Sequence, residues 1–342
     1  MKIDLNKTLI ASLTVGISLC SLSCTNDDDM DMPENGNIAS LFVSSNTSGM
    51  ISIMDFTDPS NVSTSTTASA GADADGIYYD AEDDEIIQLV RSNNSLNVYG
   101  DFKASLMNSG ISISLGLNTM GDFVSGREIA VYNDMVVVAE SPVEANGNQS
   151  SFYVYQKTSS GFTLMNTYRV DFALWGIHIE GNTLYAIVDK DSDLAVFNNF
   201  FANTDGMISP SKRVTIEGLV RTHGLTYSME DDLMVLTDIG DAGSDSDGGL
   251  TLITDFSNKL NATSNGGMIS SSQQARIEGT NTSLGNPVDV AYSEDSQMIF
   301  VAERANGGGK ILAFNYFNSN GNPSPAFSQS VEGASAVYYY ED

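Results

Sequence analysis

The sequence predicts an all-β fold, a six-bladed β-propeller with four-stranded blades, on three observations. A unit of two apolar runs flanking an acidic or polar turn recurs along the chain, the copies lie about fifty residues apart, and each chain end holds part of a unit that it does not complete. The clearest copy is Thr222 to Asp238, THGLTYSMEDDLMVLTD, with Gly224-Leu225-Thr226-Tyr227, the turn Glu230-Asp231-Asp232, and Leu233 to Leu236 closing on Thr237-Asp238. Apolar runs this short, bounded by turn residues, read as two strands of a hairpin.

At the N-terminus, Met1 to Lys7 is charged and Thr8 to Leu22 is apolar or small throughout. Such a segment is too short to be a structural membrane helix and reads as a secretory signal. It stops at Ser21-Leu22-Ser23-Cys24, which resembles the lipobox of bacterial lipoproteins, although the family's leucine three places before the cysteine is Ser21 here. The resemblance implies that Cys24 becomes the lipid-bearing first residue of the mature chain. Cys20 and Cys24 are the two cysteines of the chain, so the domain downstream holds no disulfide and must rely on its core. Residues 1–23 are thus expected to be a signal peptide, 24–37 an acidic flexible tether and 38–342 the propeller. The tether would reach about 20 Å as a coil. It also resembles the acidic export signal that sends some Gram-negative lipoproteins to the cell surface; a solvated spacer is the alternative. The expected location is the outer membrane, lipid-anchored and facing either outward or into the periplasm.

Ser40 to Ser45 and Met50 to Phe56 read as second and third strands with no first strand before them. Paired first and second strands then follow: Asp75 to Tyr79 with Glu85 to Arg91, Glu128 to Val131 with Met135 to Glu140, Trp175 to Ile179 with Leu184 to Asp189, the copy above, and Val288 to Tyr292 with Met298 to Glu303. Third strands close on aromatics such as Phe102, Phe200, Phe256 and Phe317, and polar fourth strands such as Lys212 to Glu217 and Gln274 to Glu278 lead to the next copy. Gly76, Glu128, Gly176, Gly224 and Asp289 are separated by 52, 48, 48 and 65 residues, the period of propeller blades. Ala334 to Tyr340 reads as a first strand with no second strand after it, so the two termini should share one composite blade and leave no open sheet edge. The second strands are nearly unbroken apolar runs, as strands covered on both faces are.

These units resemble the YVTN, NHL and gluconolactonase-like propellers, with Phe42-Val43-Ser44-Ser45-Asn46 and Phe300-Val301-Ala302-Glu303-Arg304 where the YVTN tetrapeptide would stand. The likeness covers residues 40 to 342, no copy contains the tetrapeptide itself, and it implies fold rather than function.

Removing residues 1 to 23 leaves 13 basic and 43 acidic residues. A surface this acidic excludes nucleic acid and is compatible with neutral sugars, cations or basic protein patches. Each second strand ends in a polar or charged residue, Ser45, Arg91, Glu140, Asp189, Asp238 or Glu303, and turn-stabilising hydrogen bonds are the favoured role. Residues near the first-strand starts break the symmetry: Asp75, Arg127, Glu128, Trp175, Arg221, His223, Asn286 and Asp289. They are expected to converge at one channel mouth, as a polar binding pocket or a solvated funnel. His223 is the better histidine candidate there, with His178 expected in the core. The chain has no His-x-x-x-His and no Gly-x-Ser-x-Gly, so zinc chemistry and a nucleophile elbow are unsupported.

Two long insertions, Ser141 to Ser150 and Ile239 to Gly249, join equivalent strands and should project from one face. In the second, Asp238, Asp241, Asp245 and Asp247 crowd beside glycines, which suits calcium as well as a mobile acidic loop. Two functions follow. The first is a lipid-anchored, monomeric binding or scaffolding module for a protein or carbohydrate. The second is a metal-dependent hydrolase or lactonase using Asp75, Glu128 and Asp289.

Overall fold

The computed structural model describes residues 38–103 and 114–342. The expected signal, Cys24 and the tether lie outside the described residues. The described residues form six sheets arranged as a six-bladed propeller. The composite blade is ordered Ala334–Glu341, Ala39–Ser45, Ile51–Asp55, Ser63–Thr67, with Val43 opposite Val337 and Ala39 opposite Glu341. The remaining first strands are Ala74–Asp80, Gly126–Tyr132, Leu174–Glu180, Leu225–Ser228 and Pro287–Ser293. Each pairs with the apolar second strand that the sequence predicts.

Why the second strands lack alternation is visible in blade two. Ile86 packs with Phe42 and Ile53 of blade one, while its neighbour Ile87 packs with Ile129 and Val136 of blade three. Successive side chains point to opposite sheet faces, and both faces are dry. The buried hydrophobics accordingly fall into six clusters, one between each pair of adjacent blades. Each buried Leu, Ile or Phe stabilises by roughly 2 kcal/mol, and because these contacts lie between blades, the middle of the ring is left free for a channel.

In blades two to six the first–second hairpin turns through a left-handed residue, Asp84, Asn133, Gly181, Asp232 or Gln297. Gly, Asn and Asp tolerate that conformation best. Asp84 and Asp232 also act beyond the turn. Each accepts a hydrogen bond from the hydroxyl of Tyr79 or Tyr227, at 2.9 Å, and another from the backbone N–H of Lys103 or Ser257 where the third strand's exit passes. The acidic turns are therefore partly structural.

At their other end the first strands converge on the axis. A Cβ on Gly76 would lie 2.5 Å from Glu128 Oε1, one on Gly176 would lie 2.2 Å from the His223 carbonyl, and one on Gly224 would lie 2.5 Å from the Asp289 Cα. No L side chain fits such approaches without backbone movement. These are the glycines on which the repeat is anchored in sequence. Beside them the register against the second strand slips, after Ala74, Gly126, Leu174 and Pro287. Bulges of this kind re-aim side chains, here those of Asp75, Arg127, Trp175 and Val288.

The outer edges of the blades hold contacts with no sequence signal. Gly206–Met207 pairs in parallel with Gly161–Val170, Met268–Ile269 with Lys212–Ile216, and Ile277 bridges Gly321. In each case the connection after a blade's third strand reaches back and clasps the outer edge of the preceding blade.

Candidate functional site

The central channel is closed at the face where first strands begin and open where they end. A cavity of about 430 Å³ runs between, lined by first strands of all six blades. Its inner end carries Glu128 and Asp289, its rim Tyr78, Tyr292, Tyr338, Tyr340, Glu294 and Glu341, and between them run Ile77, Ile129, Ile177 and Val290, whose side chains pack into the clusters between blades. Tyr78 and Tyr338 lie 4.6 Å apart between ring centroids.

The inner carboxyls are seated by backbone. Glu128 Oε1 accepts the Ile129 N–H at 2.8 Å, and Asp289 Oδ2 accepts the Val337 N–H at 2.8 Å. Each also occupies the space left by a glycine of the preceding blade, Gly76 or Gly224. Burial, reinforced by Asp289, raises Glu128 well above the usual carboxylate range, and burial raises Asp289 to about 7. Asp75 is likewise raised to about 7 by burial against the opposing pull of Arg91, whose Nη1 is 3.1 Å from Oδ2.

The eight residues expected at one mouth are divided by the structure. Arg127, Trp175, Arg221 and His223 meet on the closed face: Trp175 stacks on His223 at 3.7 Å and 2°, and the Arg127 guanidinium lies 4.3 Å from the indole centroid. Arg221 Nε donates to Asp189 Oδ1 at 2.8 Å. This is a packed plug rather than a pocket. Asp75 is held by Arg91, Asn286 gives its backbone N–H to Glu303, and Glu128 and Asp289 alone among the eight line the cavity. The histidines exchange places relative to expectation. His223 is buried, while His178 is among the cavity-lining residues, its ring bonded to the Tyr227 backbone and its imidazole pushed down to about 4 by burial. Sequence reasoning misses the rim tyrosines, whose signal lies in the Tyr338-Tyr339-Tyr340 run and in Tyr78 and Tyr292 at the far ends of first strands.

Three second-strand ends serve their own blades, whereas Asp189 reaches Arg221 at the entry to blade five. Glu140 accepts the Val124 N–H, Asp238 those of Val220 and Arg221, and Glu303 those of Gly285 and Asn286, each tying the chain that enters the same blade. Asp238 also takes Arg276 Nη2 at 3.0 Å, which engages the oxygens a cation would need. Asp247 accepts the Asp241 N–H, Asp241 that of Gly243, and Asp245 offers its carbonyl to Asn306. Among the described residues no three carboxylate, histidine or cysteine side chains form a group suited to a metal ion. Of the four aspartates singled out in sequence, Asp238, Asp241 and Asp247 thus have carboxyl oxygens engaged by the chain's own donors.

No protein-family model matches this chain, and no curated protein matches it. Solved structures do share its fold. A chain of the nidogen/laminin complex aligns with a TM-score of 0.58 at 10% identity, covering 88% of this chain and 97% of that one. The periplasmic gluconolactonase of Pseudomonas aeruginosa aligns at 0.57 and 12% identity, covering 88% and 99%. A Bacteroides uniformis protein provisionally assigned as a 6-phosphogluconolactonase aligns at 0.56 and 11%, covering 86% and 83%. Likeness at these identities is one of fold.

Proposed function

We propose that this chain is a membrane-anchored binding module, held by lipid on Cys24 and a short acidic tether, whose propeller takes a protein or glycan partner at the open mouth of the central cavity. The observation that carries this reading is the cavity itself, concave, lined by the first strands of all six blades and rimmed by tyrosines and carboxylates, as a ligand site on a rigid scaffold is. The neighbours include both a chain from a protein–protein complex and a gluconolactonase, so fold alone favours neither binding nor hydrolysis. Metal-dependent hydrolysis would need Asp75, Glu128 and Asp289 around one cation, whereas Asp75 is already paired with Arg91.

The test is Thr226→Trp, which places an indole in the cavity lining. Partners captured by the wild-type full chain from glycan and peptide arrays should be lost by the variant, with circular dichroism and melting unchanged. Retention of every partner by a folded variant would move the site elsewhere. Lactone turnover abolished by chelator would replace binding with catalysis.

A further inference from the structure

The N-terminal chain enters the propeller on the face that carries the cavity mouth. In the composite blade Ala39 pairs with Glu341, the Asp342 N–H donates to the Ile38 carbonyl at 3.1 Å, and the Ile38 N–H donates to the Asp342 carboxylate. Glu341 is itself part of the cavity rim. The chain preceding Ile38 therefore comes off the open face, and it does so near the axis. Ala39–Ser45 is the second strand of its blade, about 5 Å out from the strand that lines the channel.

Length makes this placement consequential. First strands of seven residues, such as Leu174–Glu180, separate the two faces by about 23 Å. To turn the closed face toward the anchoring membrane, the chain before Ile38 would have to cross two further strands to the outer edge and then run down the blade, about 33 Å in all. The segment expected between Cys24 and Ile38 reaches about 20 Å as a coil and about 45 Å at full stretch. That arrangement would use most of its length and nearly all of its freedom.

We infer that the anchored molecule holds its open face toward the membrane, so that the cavity receives its ligand from the membrane side, through a gap about as high as the tether's reach. This rests on Cys24 being the anchor and on the open cavity being the ligand site. A folded domain of a hundred residues is about 34 Å across and is held out of such a gap, whereas a slender chain enters it. The turns of the open face expose carboxylates, among them Glu82, Asp83, Glu230 and Asp295. Anionic headgroups repel these within about 8 Å at physiological salt, so the mouth stands off the bilayer rather than sealing on it.

Single cysteines test the orientation, because Cys20 and Cys24 are the two cysteines of the chain and signal removal with lipidation would leave no free thiol. Met229, in the open-face turn of blade five, and Val220, at that blade's entry on the closed face, are 66% and 65% exposed. Met229→Cys and Val220→Cys in the full lipidated chain are each labelled with a fluorophore, inserted into preformed phosphatidylcholine vesicles and quenched by headgroup spin-labelled lipid. The label at position 229 should be quenched at least about threefold more than the label at 220, given the separation of the faces. Repeating residues 25–35 to lengthen the tether should shrink the difference. Maleimides on long polyethylene glycol chains should modify position 229 more slowly than 220 on vesicles, and both alike in detergent. Equal quenching, or stronger quenching at 220, overturns the inference and leaves the anchor in place. A lipid-free chain that never partitions to vesicles removes the anchor and the orientation with it. If position 229 is the more quenched but no array ligand is sensitive to Thr226→Trp, the orientation holds and the cavity is not the ligand site.

Discussion

Asp289 concentrates the residue-scale physics of this protein. Its carboxyl is buried, seated on the Val337 N–H and pressed into the gap above Gly224. An aspartate in the unfolded chain titrates near 3.9, whereas burial raises this one to about 7. The folded state therefore holds the proton more tightly, so the group's stabilising contribution is complete below about pH 4 and is lost as pH rises through about 7. Glu128 and Asp75 face it and are shifted in the same direction, so wild type should lose melting temperature steadily over this window. Asp289→Asn should show a shallower loss and should equal or exceed wild type at pH 8. Parallel melting-versus-pH curves for the two proteins would mean that Asp289 is solvated. The glycines that seat these carboxyls are legible in sequence as repeat anchors, but their purpose is not, since the atoms excluding a Cβ belong to a neighbouring blade.

At the scale of elements, the composite blade carries the closure of the ring. Ala334–Glu341 supplies its inner strand, pairs with Ala39–Ser45 and packs Ala336 and Val337 into the interfaces on its two sides. Ser335 Oγ adds bonds to the carbonyls of Ser44 and Ala74, joining blades one and two. Deleting residues 334–342 should unfold or aggregate the domain, because two dry interfaces and a strand edge become exposed together. A truncated chain that melts cooperatively near the wild-type temperature would show that the ring closes without it. Unpaired strands at both termini make this closure readable from sequence. The outer clasps are not readable, because two residues such as Gly206–Met207 carry no periodicity and gain their partner only when the neighbouring blade is in place.

On the scale of the whole molecule, acidic character is distributed unevenly. The turns at the open face hold Glu82, Asp83, Glu230, Asp231, Glu294 and Asp295, whereas Arg91, Arg127, Arg221, Arg276 and Arg304 gather toward the closed face. An open acidic face should steer cations toward the channel, most strongly at low ionic strength. The proposed anchor gives the molecule its setting. Cys24→Ser should release the protein from the membrane fraction and abolish the mass added by lipid at the new terminus, without changing the melting temperature. Retention of the Cys24→Ser protein in membranes would remove the anchor from the account.

Blade count, the four main strands of each blade and the shared terminal blade were determined by the sequence, because they follow from local periodicity and from turn chemistry written into each fifty-residue copy; the fifth strands that two blades gain were not. The roles of the individual channel residues were decided by tertiary structure. Sequence position groups Arg127, Trp175, Arg221 and His223 at first-strand starts, yet whether they leave a mouth open or stack into a plug depends on side chains from different blades meeting there. His178 between two isoleucines looks like a core residue in a single strand, and only the ring closure that leaves the centre empty turns it toward a cavity. Closure in space is a property of all six blades at once, which is why no one copy of the repeat contains the site.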